Sequence, residues 1–82
     1  MDFKQACALT IASKYFEANR ITQDFHSLKN RIIYWDNKYP SISALQLASL
    51  SIANPPSFIY LSDSEIREIC NKIFYSSNYL NS

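Results

Sequence analysis

Apolar side chains recur at helical spacing in four separate stretches of the chain. In the first, Phe3, Cys7, Ile11 and Tyr15 form one stripe, and Leu9, Ala12 and Phe16 form a second. Only a strip holding Thr10, Ser13, Lys14 and Glu17 reads as solvated, so this helix should run from Phe3 to Ala18 and pack on two sides. It is the expected centre of the domain. Asp2 is placed to cap it, with Gln5 three positions on as a capping box requires. Asn19 fits the far end, because asparagine is the residue that best replaces glycine in the left-handed conformation.

The second stretch spans Thr22 to Asn37, with Phe25, Leu28, Ile32 and Trp35 as its seam and Ile21 just ahead. Within it "NRIIYWDNKYP" sets Tyr34 beside Trp35. Neighbours on a helix point about 100° apart, so both rings cannot enter one core. Trp35 takes the seam. Tyr34 falls near the opposite face, by Asn30, with Lys38 a turn further on and Arg31 between that face and the seam. It is either a solvated residue or part of a contact surface.

Pro40 forces a break, after which Ser41 or Ser43 can cap a third helix that ends near Ala53. Ile42, Leu45, Ala48 and Ile52 make its expected buried face, and Leu47 and Leu50 point elsewhere. "LQLASLSI" also alternates in places, which leaves a strand as the competing reading. The prolines of "NPP" end this element, and Phe58 to Leu61 fits a helical turn or an extended strip equally. The fourth helix carries the strongest local signal: Ser62 and Glu65 as a capping box, Asp63 in the first turn, Leu61 and Ile66 as a staple. Ile66, Ile69, Cys70, Ile73 and Phe74 follow as one apolar face. The expectation is an all-α fold, a small compact bundle of about four helices packed antiparallel or orthogonally, with no sheet, forming a single domain over 1–82.

Composition sharpens what the pattern leaves open. An apolar share of 48% with 18% charged residues supplies a core and argues against disorder. Glycine is absent, where an average chain of this length would hold roughly six. Phosphate-cradling loops, nucleophile elbows and dinucleotide turns need glycine backbone geometry, so those enzyme classes fall away together. The formal charge of +1 gives no field to draw the chain onto nucleic acid or an anionic membrane. Arg20, Lys29, Arg31 and Lys38 against Asp24 and Asp36 make only a mild local tilt. The charge-free run from Tyr39 to Ser62 contains three prolines and several serines, so it reads as buried or interfacial protein, not a membrane span. Two cysteines without an export signal point to free thiols in a cytoplasmic setting.

Catalytic chemistry is sparse. His26 is the only histidine, it lies on the outer side of the second helix, and no ligand spacing suits a metal. Cys7 and Cys70 both fall on apolar faces, where they read as core residues able to meet across the first and fourth helices. The closest carboxylates on one helix, Glu65 and Glu68, are a poor acid–base pair because Glu65 already serves as a cap. No enzyme activity, cofactor or metal is expected. A helix-turn-helix is disfavoured too, since the third helix is uncharged and "NPPSFIYLS" is too long and too apolar for the turn.

Protein binding remains. Arg31, Tyr34 and Lys38 form a first candidate contact patch, and Asn71, Lys72 and Tyr75 a second, with Tyr79 and Leu80 extending from the last helix. The Leu47–Tyr60 segment reads equally as extra core or as an interface with a partner or a second copy, and it is the surface through which a homodimer would form. The resulting expectation is a non-enzymatic binding protein that occupies a surface of a larger protein or nucleoprotein complex and modulates or inhibits it. In kind, though not in matched residues, such a chain looks like the accessory proteins of phages and mobile elements, among them anti-CRISPR and immunity proteins. The rival is a nucleic-acid-binding transcription regulator using helix 22–38, although direct nucleic-acid binding has few cations to support it.

Overall fold

The computed structural model describes residues 1–75, and these form four α-helices with no strand among the described residues. They are α1 (Phe3–Ala18), α2 (Phe25–Lys38), α3 (Ala44–Ala53) and α4 (Asp63–Phe74). The all-α bundle follows from the apolar periodicity, and the strand reading of the third element is set aside. Tyr79 and Leu80 lie outside the described residues.

Three helices begin with complete capping boxes. Asp2 Oδ1 accepts the Gln5 N–H at 2.8 Å, while Ser43 and Ser62 accept from Gln46 and Glu65 at 3.2 Å each. α2 starts later than its periodicity suggested. The Asp24 carboxylate takes the N–H of Ser27 at 3.2 Å and its hydroxyl at 2.8 Å, so Asp24, not Thr22, ends the preceding loop. Phe25 and Ile21 are consequently exposed and lie outside the buried seam of Leu28, Ile32 and Trp35.

The end of α1 departs from expectation in an instructive way. Asn19 occupies the C-cap with φ −94°, and the left-handed residue is the next one, Arg20, with φ 56°. Arg20 N–H donates to Glu17 O and Ile21 N–H donates to Phe16 O at 2.8 Å, the paired bonds of a Schellman ending. A chain without glycine has placed a side chain where glycine is favoured. At α3 the asparagine does adopt this role: Asn54 has φ 47°.

The centre of the domain is α3, not α1. Leu47, Ala48, Ser49, Leu50 and Ser51 are all buried, which covers more than a full turn, and α3 packs against each of the other three helices. A helix apolar all round is a buried helix, and α3 carries no charge to prevent it. Its two buried hydroxyls are satisfied locally, Ser49 on Leu45 O at 2.8 Å and Ser51 on Leu47 O at 3.0 Å. Leu47 and Leu50 are therefore core, and the part of the 47–60 segment left at the surface is its loop end. α1 buries Ala8, Ala12 and Phe16 in the core, the alanines permitting close approach, and Leu9, Ile11 and Tyr15 pack half-buried against it. Its outer side carries a stripe of exposed or half-buried residues, Phe3, Ala6, Cys7 and Thr10. Cys7 is half-buried on that outer stripe while Cys70 is buried on α4, and both thiols are free.

The α1–α2 corner is fixed by charge. Lys4 Nζ lies 2.7 Å from Asp36 Oδ1 and also donates to the Pro40 and Ile42 carbonyls at 2.9 and 3.1 Å. Gln5 Nε2 donates to the second Asp36 oxygen at 2.8 Å. The Lys4 ammonium holds the Asp36 carboxyl below the usual carboxylate range, against the upward pull of burial, with Gln5 adding to the effect. No helix among the described residues is long and apolar enough to cross a membrane.

Candidate protein-binding surface

The connection from α3 to α4 is the least expected part of the surface. It leaves the left-handed Asn54, passes two prolines and closes one turn, with Ile59 N–H donating to Pro56 O at 3.2 Å. Phe58 lies within this single turn and Ile59 closes it, and Tyr60 and Leu61 continue to α4 in neither helix nor strand. Phe58 is 88% exposed and Tyr60 77%, with Ile59 exposed beside them. Three successive apolar side chains point outward on a loop that carries no charge between Asn54 and Ser62.

Two residues at the end of α2 hold this loop. Lys38 Nζ donates to the Ser57 carbonyl and lies 3.5 Å from the Ile59 carbonyl. The Tyr39 hydroxyl accepts the Leu61 N–H at 2.9 Å. Behind the loop the rings form a chain: Tyr34 sits edge-on to Trp35 at 4.9 Å, Trp35 stacks on Tyr39 at 6.1 Å, and Tyr39 touches Tyr60 at 5.5 Å. The Lys38 ammonium lies 5.5–5.9 Å from the ring centres of Tyr34, Trp35 and Tyr39, a distance at which a cation is attracted by ring faces. Tyr34, 44% exposed, is therefore linked through its own helix to Tyr60.

The six residues singled out from sequence are not alike in position. Tyr34 is exposed, on the side of α2 away from the seam. Lys38 is half-buried, and its ammonium is directed at backbone carbonyls and rings, which makes it a brace for the surface. Arg31 is half-buried, and its Nε and Nη2 are shielded from solvent without an acceptor among the described residues. Asn71 and Lys72 on α4 and its C-cap Tyr75 are all exposed. Lys72 reaches Glu68 at 3.8 Å, an exposed pair of the kind that contributes little. No hydrogen bond or ring contact among the described residues joins this trio to Tyr34. The residues that sequence reasoning placed differently are Phe58, Ile59 and Tyr60, grouped there with the buried Leu47 and Leu50. Their signal was an apolar run after two prolines with no helical or alternating period.

His26 is exposed, and no three His, Cys, Asp or Glu side chains among the described residues converge as a metal site would need. A shallow groove between the starts of α3 and α4 is lined by Ser41, Ile42, Gln46, Asp63, Ile66 and Arg67. It brings together one carboxylate and one guanidinium with no nucleophile–base pair beside them. No family model, curated protein or solved structure matches the chain.

Proposed function

We propose that this chain is a non-enzymatic binding domain that docks on a larger protein through Tyr34, Phe58, Ile59 and Tyr60, and modulates or inhibits that protein by covering its surface. The observation that carries the reading is the pair Phe58 and Tyr60, turned to solvent on a loop that Lys38 and Tyr39 hold in place. Tyrosine is enriched in interface hot spots and aromatic residues in interfaces generally, and charged groups are depleted at interface centres. A loop already fixed in one conformation loses less entropy on docking than a free one. The partner surface that fits is an uncharged recess able to take two rings. In kind this is the mode of action of small accessory inhibitors, and the free thiols of Cys7 and Cys70 agree with a cytoplasmic, reducing setting.

The test is capture of partners on the tagged protein, with and without nuclease, comparing wild type with Phe58→Ser/Tyr60→Ser and with Tyr34→Ala. A stoichiometric protein that survives nuclease and is lost with the loop variant is the expected result. Recovery that needs nucleic acid, falls steeply with salt and ignores both variants would overturn the reading in favour of a nucleic-acid regulator.

A further inference from the structure

We infer that the outer face of α1 is a self-association surface that takes the same face of a second copy of this chain, antiparallel to itself. The face is built by the exposed Phe3, Ala6 and Thr10 with the half-buried Cys7, and its edge by Ile11 and Tyr15, which pack half-buried against the core. Phe3, Ala6, Cys7, Thr10 and Ile11 line a shallow groove along it. At the N-terminal end Phe3 projects into solvent, 84% exposed. At the other end lies a recess bounded by Ile11, Lys14, Tyr15, Ala18, Asn19 and Phe74, floored by the edge-on contact of Tyr15 and Phe74 at 5.8 Å.

A projecting ring and a recess on one face, twelve residues or about 18 Å apart along the axis, are self-complementary under a two-fold rotation. Each Phe3 then enters the other copy's recess, as an isologous interface requires. A parallel pairing would set ring against ring and leave both recesses unfilled. Near the two-fold axis stand Ala6, Cys7 and Thr10, small enough for the helix axes to approach to about 8 Å. Thr10 raises no polar obstacle, because its hydroxyl already donates to Ala6 O at 3.0 Å. The antiparallel register brings the exposed Asp2 of one copy to the end of the other's α1 that carries exposed Lys14 and Glu17, one opposite and one like charge, so charge is neutral there and shape favours the pairing. Opposed helix dipoles act in the same direction.

Residues 76–82 follow α4 from a point next to the recess and include Tyr79 and Leu80, so they are the rival occupant. A second copy fills the recess and buries Phe3 in one step, and the Tyr79→Ser/Leu80→Ser variant separates the two occupants. A face one helix wide and about 24 Å long buries about 1,000 Å² in total, near the lower limit for a specific interface. The dimer is therefore reversible and concentration-dependent. It shares no residue with the Tyr34–Tyr60 surface, and it stands whether or not that surface binds a partner.

The experiment is sedimentation equilibrium of the full chain over a wide concentration range, with Phe3→Ser as the main variant. Phe3 lies outside the core, so circular dichroism should show an unchanged helix content and melt for this variant. The expected result is a mass that climbs towards twice the monomer's, with Phe3→Ser weakening association about ten-fold or more. A short bismaleimide should link Cys7 to Cys7 in the wild type and fail in Cys7→Ser, since the pairing sets the two sulfurs within about 10 Å. A monomer at every concentration overturns the proposal, as does a dimer indifferent to Phe3→Ser. Dimerisation that appears only in Tyr79→Ser/Leu80→Ser assigns the recess to the tail and overturns it equally. A dimer abolished by Phe58→Ser/Tyr60→Ser but kept in Phe3→Ser would move self-association to the loop.

Discussion

The Tyr39 hydroxyl accepts the backbone N–H of Leu61 at 2.9 Å, joining the last residue of the α2 ending to the residue that precedes the cap of α4. Both residues are buried, so this one bond satisfies an amide that water does not reach. It also sets where the 54–61 loop must end, and thereby how Phe58 and Tyr60 are presented.

Tyr39→Phe keeps the ring stack on Trp35 and removes only the acceptor. Stability should fall by about 1–2 kcal/mol, the usual consequence of stranding a buried donor. Urea denaturation measures this. Exchange of the Leu61 amide should speed up well beyond the global effect, because the loop loses its closing bond while the helices stay intact. Unchanged exchange at Leu61 would mean that the turn at Pro56 fixes the loop unaided.

Lys38→Met tests the other brace. Methionine can keep much of the packing against Tyr34, Trp35 and Tyr39 but cannot donate to the Ser57 and Ile59 carbonyls. Stability should change by about 1 kcal/mol or less, since these carbonyls are near solvent. Partner affinity should fall several-fold, as ordering the loop becomes part of binding. Titration calorimetry against the captured partner would show a larger entropic opposition in the variant. If Lys38 instead touches the partner directly, Lys38→Arg will weaken binding as strongly as Lys38→Met.

How much of this arrangement is legible in the sequence differs by element. Helix starts were, because a serine or aspartate followed three residues later by glutamine or glutamate states its own geometry, as at Ser43 and Ser62. Asp24 has no such partner, since serine stands at position 27, and the α2 start was misplaced accordingly. The identity of the central helix was hidden for a different reason. α1 and α3 are both apolar on most sides, and periodicity ranks faces within one helix but not one helix against another. What decides is that the short, uncharged α3 can be enclosed completely, whereas α1 must leave Lys14 and Glu17 in water. Of the candidate site, Tyr34 was legible from its angle to Trp35. The bracing role of Lys38 was not, because its acceptors lie about twenty residues away in a loop with no periodic signal.

Arg20 holds a conformation that costs a residue with a side chain about 1 kcal/mol relative to glycine. Arg20→Gly should therefore raise stability by about 0.5–1 kcal/mol, the relief of strain being partly offset by the greater freedom of glycine in the unfolded chain. Thermal melting by circular dichroism is sufficient. A loss of stability would show that the Arg20 side chain makes a contact worth more than the strain.

Acid stability follows from the carboxylates. Asp36 is held below the usual range chiefly by the Lys4 hydrogen bond, and Asp24 and Glu65 are lowered by their capping bonds to Ser27 and Ser62. A carboxyl whose folded pKa lies below its unfolded value binds fewer protons in the native state. Its contribution is thus complete above the unfolded value near pH 4 and is lost as pH falls through the lower folded value. Stability should be flat on the carboxylate account from neutral pH to about 5 and decline below 4. In Asp36→Asn the neutral-pH stability should drop by about 1–2 kcal/mol, and the acid decline should be shallower than in wild type because one of its contributors is gone. Asp24→Asn retains a capping oxygen, so it should flatten the curve with a smaller loss at neutral pH. Melting temperatures of the three proteins between pH 7 and 2 check the order, and an acid slope unchanged in Asp36→Asn would show that the Lys4–Asp36 contact is not what acid breaks.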